Sequence, residues 1–67
     1  MNNAIRDMTF NEAKGFIMNG THERWHFWPI REEIKKNKSL LPTELEKLIE
    51  ICDYCQDGYP DLAKTVN

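Results

Sequence analysis

The sequence predicts an all-α fold, a small bundle of three to four short helices. Apolar residues recur at helical spacing in separate stretches, and a Thr-x-x-Glu capping signal stands near the head of two of them. No stretch alternates apolar and polar residues as a half-buried strand does, and there is no repeat or low-complexity tract.

Residues 1–8 carry no strong structural signal and are expected to fray or pack loosely through Ile5 and Met8. Thr9-x-x-Glu12 reads as a capping box for a first helix, with Phe10, Ala13, Phe16 and Ile17 on its apolar face. Asn19-Gly20 ends that helix, Gly20 being free to take the left-handed conformation, and Thr21 can cap a short second helix carrying His22 and His26. Pro29 marks a kink or the first turn of a segment with Ile30 and Ile34 on one side. Lys36-Asn37-Lys38-Ser39 breaks the pattern. The last long helix is expected from about Leu41-Pro42-Thr43, capped by Thr43-x-x-Glu46, with Leu45, Leu48, Ile49, Cys52 and Cys55 along one face. Gly58 stops it, Pro60 can start another turn, and residues 61–67 form a short terminal helix or stay mobile. The domain reading is one unit over 1–67, with its core in 9–57 and a terminal turn or short helix in 58–67.

Sixty-seven residues make one domain, and a chain this short buries only roughly 60% of its unfolded surface. A hydrophobic content of 40% with 30% charged residues is that of a folded domain and excludes compositional disorder. No apolar run approaches membrane-spanning length, and the N-terminus lacks the pattern of a secretion signal. These features point to a cytoplasmic protein, where thiols stay reduced and a Cys-x2-Cys pair is metal-binding or redox-active before it is a disulfide. Met1 and the length suggest a free-standing protein.

His22-x3-His26 and Cys52-x2-Cys55 are the chain's only histidines and cysteines. On a helix, residues i and i+4 share a face, and a Cys-x2-Cys turn can aim two sulfurs at one point. Four nitrogen and sulfur donors are the set zinc takes in a closed structural site, whereas a catalytic zinc keeps one position open. One structural zinc would staple a bundle whose own core supplies only ~3–5 kcal/mol. Two other readings stand beside it. Cys52 and Cys55 continue an apolar face and can be inert buried thiols, or they can be a redox pair, although a pair near a helix end lacks the dipole that activates thiols at a helix start.

The string His22-Glu23-Arg24-Trp25-His26, then Leu41-Pro42 ahead of an apolar helix, then Cys52-Asp53-Tyr54-Cys55-Gln56, resembles the N-terminal HHCC zinc domain of retroviral and retrotransposon integrases over residues 21–56. The resemblance implies a three- or four-helix bundle containing a helix-turn-helix-like unit, zinc ligation by His22, His26, Cys52 and Cys55, and a role in multimerisation and DNA contact. It brings no catalysis, because that chemistry belongs to a separate carboxylate-bearing core domain.

Trp25, Phe27 and Trp28 are bulky enough to be core, yet three large aromatics within four residues cannot all point inward on one helix. Trp28, next to Pro29, is the first choice for a partner contact and Trp25 the second. Arg31, Lys35, Lys36 and Lys38 form a basic middle that is either a solvated face or a set of phosphate contacts, and carboxylates dominate the last third. The net charge of −2 gives no global pull toward nucleic acid. No nucleophile-base-orienter set and no glycine-rich phosphate loop is visible, so the reading is not an enzyme. The leading expectation is a zinc-stabilised helical module that binds another protein as regulator, inhibitor or adaptor; by analogy, short acidic chains of this sort include viral ones. The alternatives are a weak nucleic-acid-binding or multimerisation module and a metal-free helical bundle that forms homo-oligomers.

Overall fold

In a computed structural model, which describes residues 4–20 and 22–67, all the regular secondary structure among those residues is helical. A 3-10 turn, Ile5–Asp7, precedes α1 (Phe10–Asn19). A second 3-10 turn, Arg24–His26, runs directly into α2 (Phe27–Lys35), and α3 (Pro42–Asp57) and α4 (Pro60–Lys64) follow. No helix among the described residues is long and apolar enough to cross a membrane.

The head of α1 is as expected. Thr9 Oγ1 accepts from Glu12 N–H at 3.2 Å and Glu12 Oε1 accepts from Thr9 N–H at 3.0 Å, so two otherwise orphaned donors are satisfied reciprocally. Its end differs. Gly20 is extended, with φ −78° and ψ 152°, and not left-handed. It is glycine for a reason of space: a Cβ there would stand 2.8 Å from Phe16 O and 2.5 Å from His22 Nε2. The proposed Thr21 cap lies outside the described residues.

α3 starts at Pro42, within the expected Leu41-Pro42-Thr43, but its N-cap is Leu41, two residues before Thr43. Pro42 occupies its first turn, where a missing N–H costs nothing, and Glu44 reaches back to accept from Leu41 N–H at 2.9 Å. Gly58 closes α3 with φ +89°, a conformation open to glycine at little steric cost.

α3 is the axis of the bundle, packing against α1, α2 and α4. Its inward stripe is Leu48, Ile51 and Cys52, all fully buried, and they meet Ala13 and Ile17 of α1, Phe27, Ile30 and Ile34 of α2, and Ala63 of α4 in one core. Each large aliphatic side chain buried this way contributes roughly 1.5–3 kcal/mol of transfer free energy before entropy opposes it. The Cα radius of gyration is 10.7 Å; a compact chain of this length has about 11 Å, so the short helices close on one another with no open lobe.

Among the described residues, the N-terminal segment packs through Ile5 and Met8. Ile5 is buried in the common core, and the turn around it is held by Asn37, the one buried polar side chain among the described residues. Asn37 Nδ2 donates to Ile5 O and Met8 O, both at 2.9 Å, while Oδ1 accepts from Ser39 N–H at 2.8 Å and Leu40 N–H at 3.1 Å. One amide thus uses its full bonding capacity to join the N-terminal turn to the α2–α3 connection. At the opposite end, the Lys14 ammonium of α1 donates to Lys64 O and Val66 O, satisfying carbonyls that the end of α4 leaves open.

Candidate functional site

The two histidines are neighbours, though not on one helix. His22 precedes the second 3-10 turn and His26 ends it, so the expected i, i+4 helical face does not form. Their ring centroids are 6.1 Å apart, edge to face. His22 lies between Phe16 of α1 and Phe27 of α2, at 5.3 and 5.5 Å, and its Nε2–H donates to Phe16 O at 3.2 Å. His26 Nδ1 accepts from Glu23 N–H at 2.9 Å, and the Trp25 ring lies against it with centroids 3.9 Å apart. Phe16, His22, His26, Pro29 and Ile30 line a shallow hollow of about 280 Å³.

The cysteines are on α3. Cys52 is fully enclosed in the core, and Cys55, one turn on, is half-buried. Burial pushes the Cys52 thiol up to about 12 from an ordinary 9.0, against a smaller opposing pull from Arg31, and burial also raises Cys55. Both thiols are therefore protonated at neutral pH, the reverse of what an activated redox cysteine needs. Among the described residues no three His, Cys, Asp or Glu side chains gather in a way that would hold a metal ion. The donor types suit zinc, and the arrangement here does not bring them to one point. For zinc to bind through all four, Cys52 would leave its apolar contacts, two thiols would lose their protons, and His26 would exchange its Glu23 hydrogen bond for a metal bond if it ligates through Nδ1.

The aromatic triplet divides as its helical spacing requires. Phe27 is buried, whereas Trp25 and Trp28 are 65% and 73% exposed. Trp25 Nε1–H donates to Glu23 Oε2 at 3.0 Å. Trp28 Nε1–H has no hydrogen-bond partner among the described residues, and its ring borders a largely apolar hollow of about 640 Å³ completed by Pro29, Glu32, Glu33 and Lys36.

The basic segment is mostly engaged with the protein's own acids. Arg31 donates to Asp53 and Gln56 of α3, Lys35 pairs with Glu32 at 3.2 Å, and Lys36 lies 3.6 Å from Glu33. Glu33 is also held by the Arg6 guanidinium, which donates to both of its oxygens and, with help from Lys36, keeps its carboxyl below the usual range. Lys38 has no carboxylate within ion-pair distance among the described residues.

Two features escaped the sequence reading. Asn37 sat within a recognised helix break, but nothing local marks an asparagine whose partners are thirty residues upstream. The Arg31–Asp53–Gln56 tie between α2 and α3 was hidden because Arg31 was grouped with neighbouring lysines and Asp53 with an acidic tail.

Fold and surface together define a small all-α bundle that presents tryptophan to solvent. No protein-family model, no curated protein and no solved structure matches the chain.

Proposed function

We propose that this chain is a non-enzymatic helical module that binds another protein through the aromatic surface at the start of α2, acting as a regulator, inhibitor or adaptor. The observation that carries this reading is Trp28: a large side chain, 73% exposed, beside an apolar hollow and with a free indole donor. Exposed tryptophan is costly to leave in water and is enriched among residues that dominate binding energy. Its setting is rigid, because the same helical turn buries Phe27 and Ile30 in the core. Trp25, fixed by Glu23, extends the surface, and the charged rim of Glu32, Glu33 and Lys36 favours partners of matching polarity.

The nucleic-acid reading draws less support from this arrangement, since Arg31, Lys35 and Lys36 are already paired with carboxylates. Zinc stapling through His22, His26, Cys52 and Cys55 is a separate proposal, and the protein-binding reading does not depend on it. The test is affinity capture with the wild-type chain and with Trp28→Ala, both shown by circular dichroism to be equally helical. Loss of an anchor of this type typically costs at least ~2 kcal/mol, or about thirtyfold in affinity. An identical set of captured proteins would refute the assignment of Trp28. Binding to DNA that weakens steeply with salt would favour the nucleic-acid alternative, and a mass that grows with concentration in light scattering would favour self-association.

A further inference from the structure

The α2–α3 connection carries a second concavity, which shares Lys36 with the Trp28 hollow and holds neither tryptophan. Arg6 and Asp7 of the N-terminal turn, Lys36 at the end of α2, and Lys38 and Ser39 of the connection line a hollow of about 390 Å³. Three cations and a hydroxyl face one carboxylate across it. The walls come from two segments distant in sequence, and Asn37 fixes them to each other: its amide bonds Ile5 O and Met8 O on one side and Ser39 and Leu40 N–H on the other. The charges are therefore mounted on backbone that is already held, which lowers the ordering cost of binding.

We propose that this hollow is a binding site for a phosphate dianion, such as a phosphomonoester group, with Lys38 and Ser39 as its direct contacts and Lys36 and Arg6 both recruited from Glu33. Among the described residues, Lys38 supplies a cation with no carboxylate partner and the Ser39 hydroxyl a donor with no acceptor. Glu33 is the resident counter-ion. It takes two hydrogen bonds from Arg6 Nη2, at 3.0 and 2.9 Å, and lies 3.6 Å from Lys36. A tetrahedral dianion matches this set better than a carboxylate does, because it offers oxygens in several directions to a guanidinium and two ammonium groups at once. Glu33 and Asp7 oppose it, so affinity is modest and the site responds to any change in these two carboxylates.

The experiment is a titration of the full chain with inorganic phosphate at low ionic strength, followed by amide chemical shifts. Saturable shifts confined to the neighbourhoods of Arg6, Lys36, Lys38 and Ser39 are expected. Removing the competing charge in Glu33→Gln should tighten binding by up to about fivefold, the factor of one exposed charge pair, and Lys38→Ala should weaken it by a similar factor. Both positions lie on the surface or half-buried, so circular dichroism of each variant provides the control for folding. The proposal is overturned by linear, non-saturating shifts, by equal shifts at Lys47 and Lys64, or by Glu33→Gln leaving phosphate affinity unchanged. A duplex oligonucleotide lacking terminal phosphates forms the second arm: if it binds through these residues while inorganic phosphate does not, the site reads a nucleic-acid backbone and the dianion assignment fails.

Discussion

Replacing Asn37 by alanine removes four hydrogen bonds at one position without taking away much apolar surface. Asn37 is only 4% exposed, and its amide is the sole side-chain link between the N-terminal turn and the α2–α3 connection among the described residues. In Asn37→Ala the bond to Ile5 O is lost where water has no easy access, and an unsatisfied buried carbonyl costs ~1–3 kcal/mol. The other three bonds are only partly buried, so water recovers some of their strength and each loss counts for about 0.5 kcal/mol. The total is about 3 kcal/mol, most of what a core of this size provides. For a domain of 60–100 residues, each kcal/mol shifts the melting temperature by roughly 4–8 °C, giving an expected fall of about 12–24 °C. Thermal unfolding followed by far-ultraviolet circular dichroism measures it. A second effect separates this account from general damage: amide exchange should accelerate first at Ile5–Met8 and at Ser39 and Leu40, with α3 protected until global unfolding. A loss below about 1 kcal/mol would show that these backbone groups find water as readily as they find Asn37, and the reasoning would be wrong.

Two further outcomes follow from the cysteines and histidines. The folded state holds the Cys52 thiol near 12 against 9.0, so the unfolded chain gives up this proton first as pH rises. Stability from this group is complete below pH 9 and is lost progressively between pH 9 and 12, by up to ~4 kcal/mol at 1.36 kcal/mol per unit; denaturant titrations across that range should show a slope that Cys52→Ala flattens, and parallel slopes would contradict the burial of the thiol. For the metal, the native mass and circular dichroism of the chain before and after chelation decide between arrangements. One zinc per chain whose removal abolishes helicity would establish ligation by His22, His26, Cys52 and Cys55, whereas a metal-free mass with unchanged helicity would leave the four as packing residues.

The helices were legible in the sequence because their signals are local. Thr9-x-x-Glu12, Pro42 and Gly58 each act within one turn, and of the expected face Leu45, Leu48, Ile49, Cys52 and Cys55 the structure buries Leu48 and Cys52 fully, half-buries the other three and adds Ile51. Two ends fall where expected but are capped differently, because local rules compete: Glu44 and Leu41 outdid Thr43 and Glu46 as a cap, and Gly20 serves close approach instead of a left-handed turn. The exposed tryptophan followed from counting faces, since a helix that buries Phe27, Ile30 and Ile34 must turn Trp28 outward. Long-range polar ties left no such trace. Asn37 and Arg31 find partners more than twenty residues away, and neither choice of partner is encoded in periodicity or spacing.

Trp25 and Trp28 are the chain's only tryptophans, and both indoles face solvent while the core is built from aliphatic side chains and Phe27. The native protein should therefore already emit at the long wavelengths of a hydrated indole, and unfolding should shift that emission very little. Intrinsic fluorescence, the usual gauge of folding, is here almost blind to it. The same property makes it a label-free gauge of contact: a blue shift would report an indole leaving water on docking, with little background from the interior.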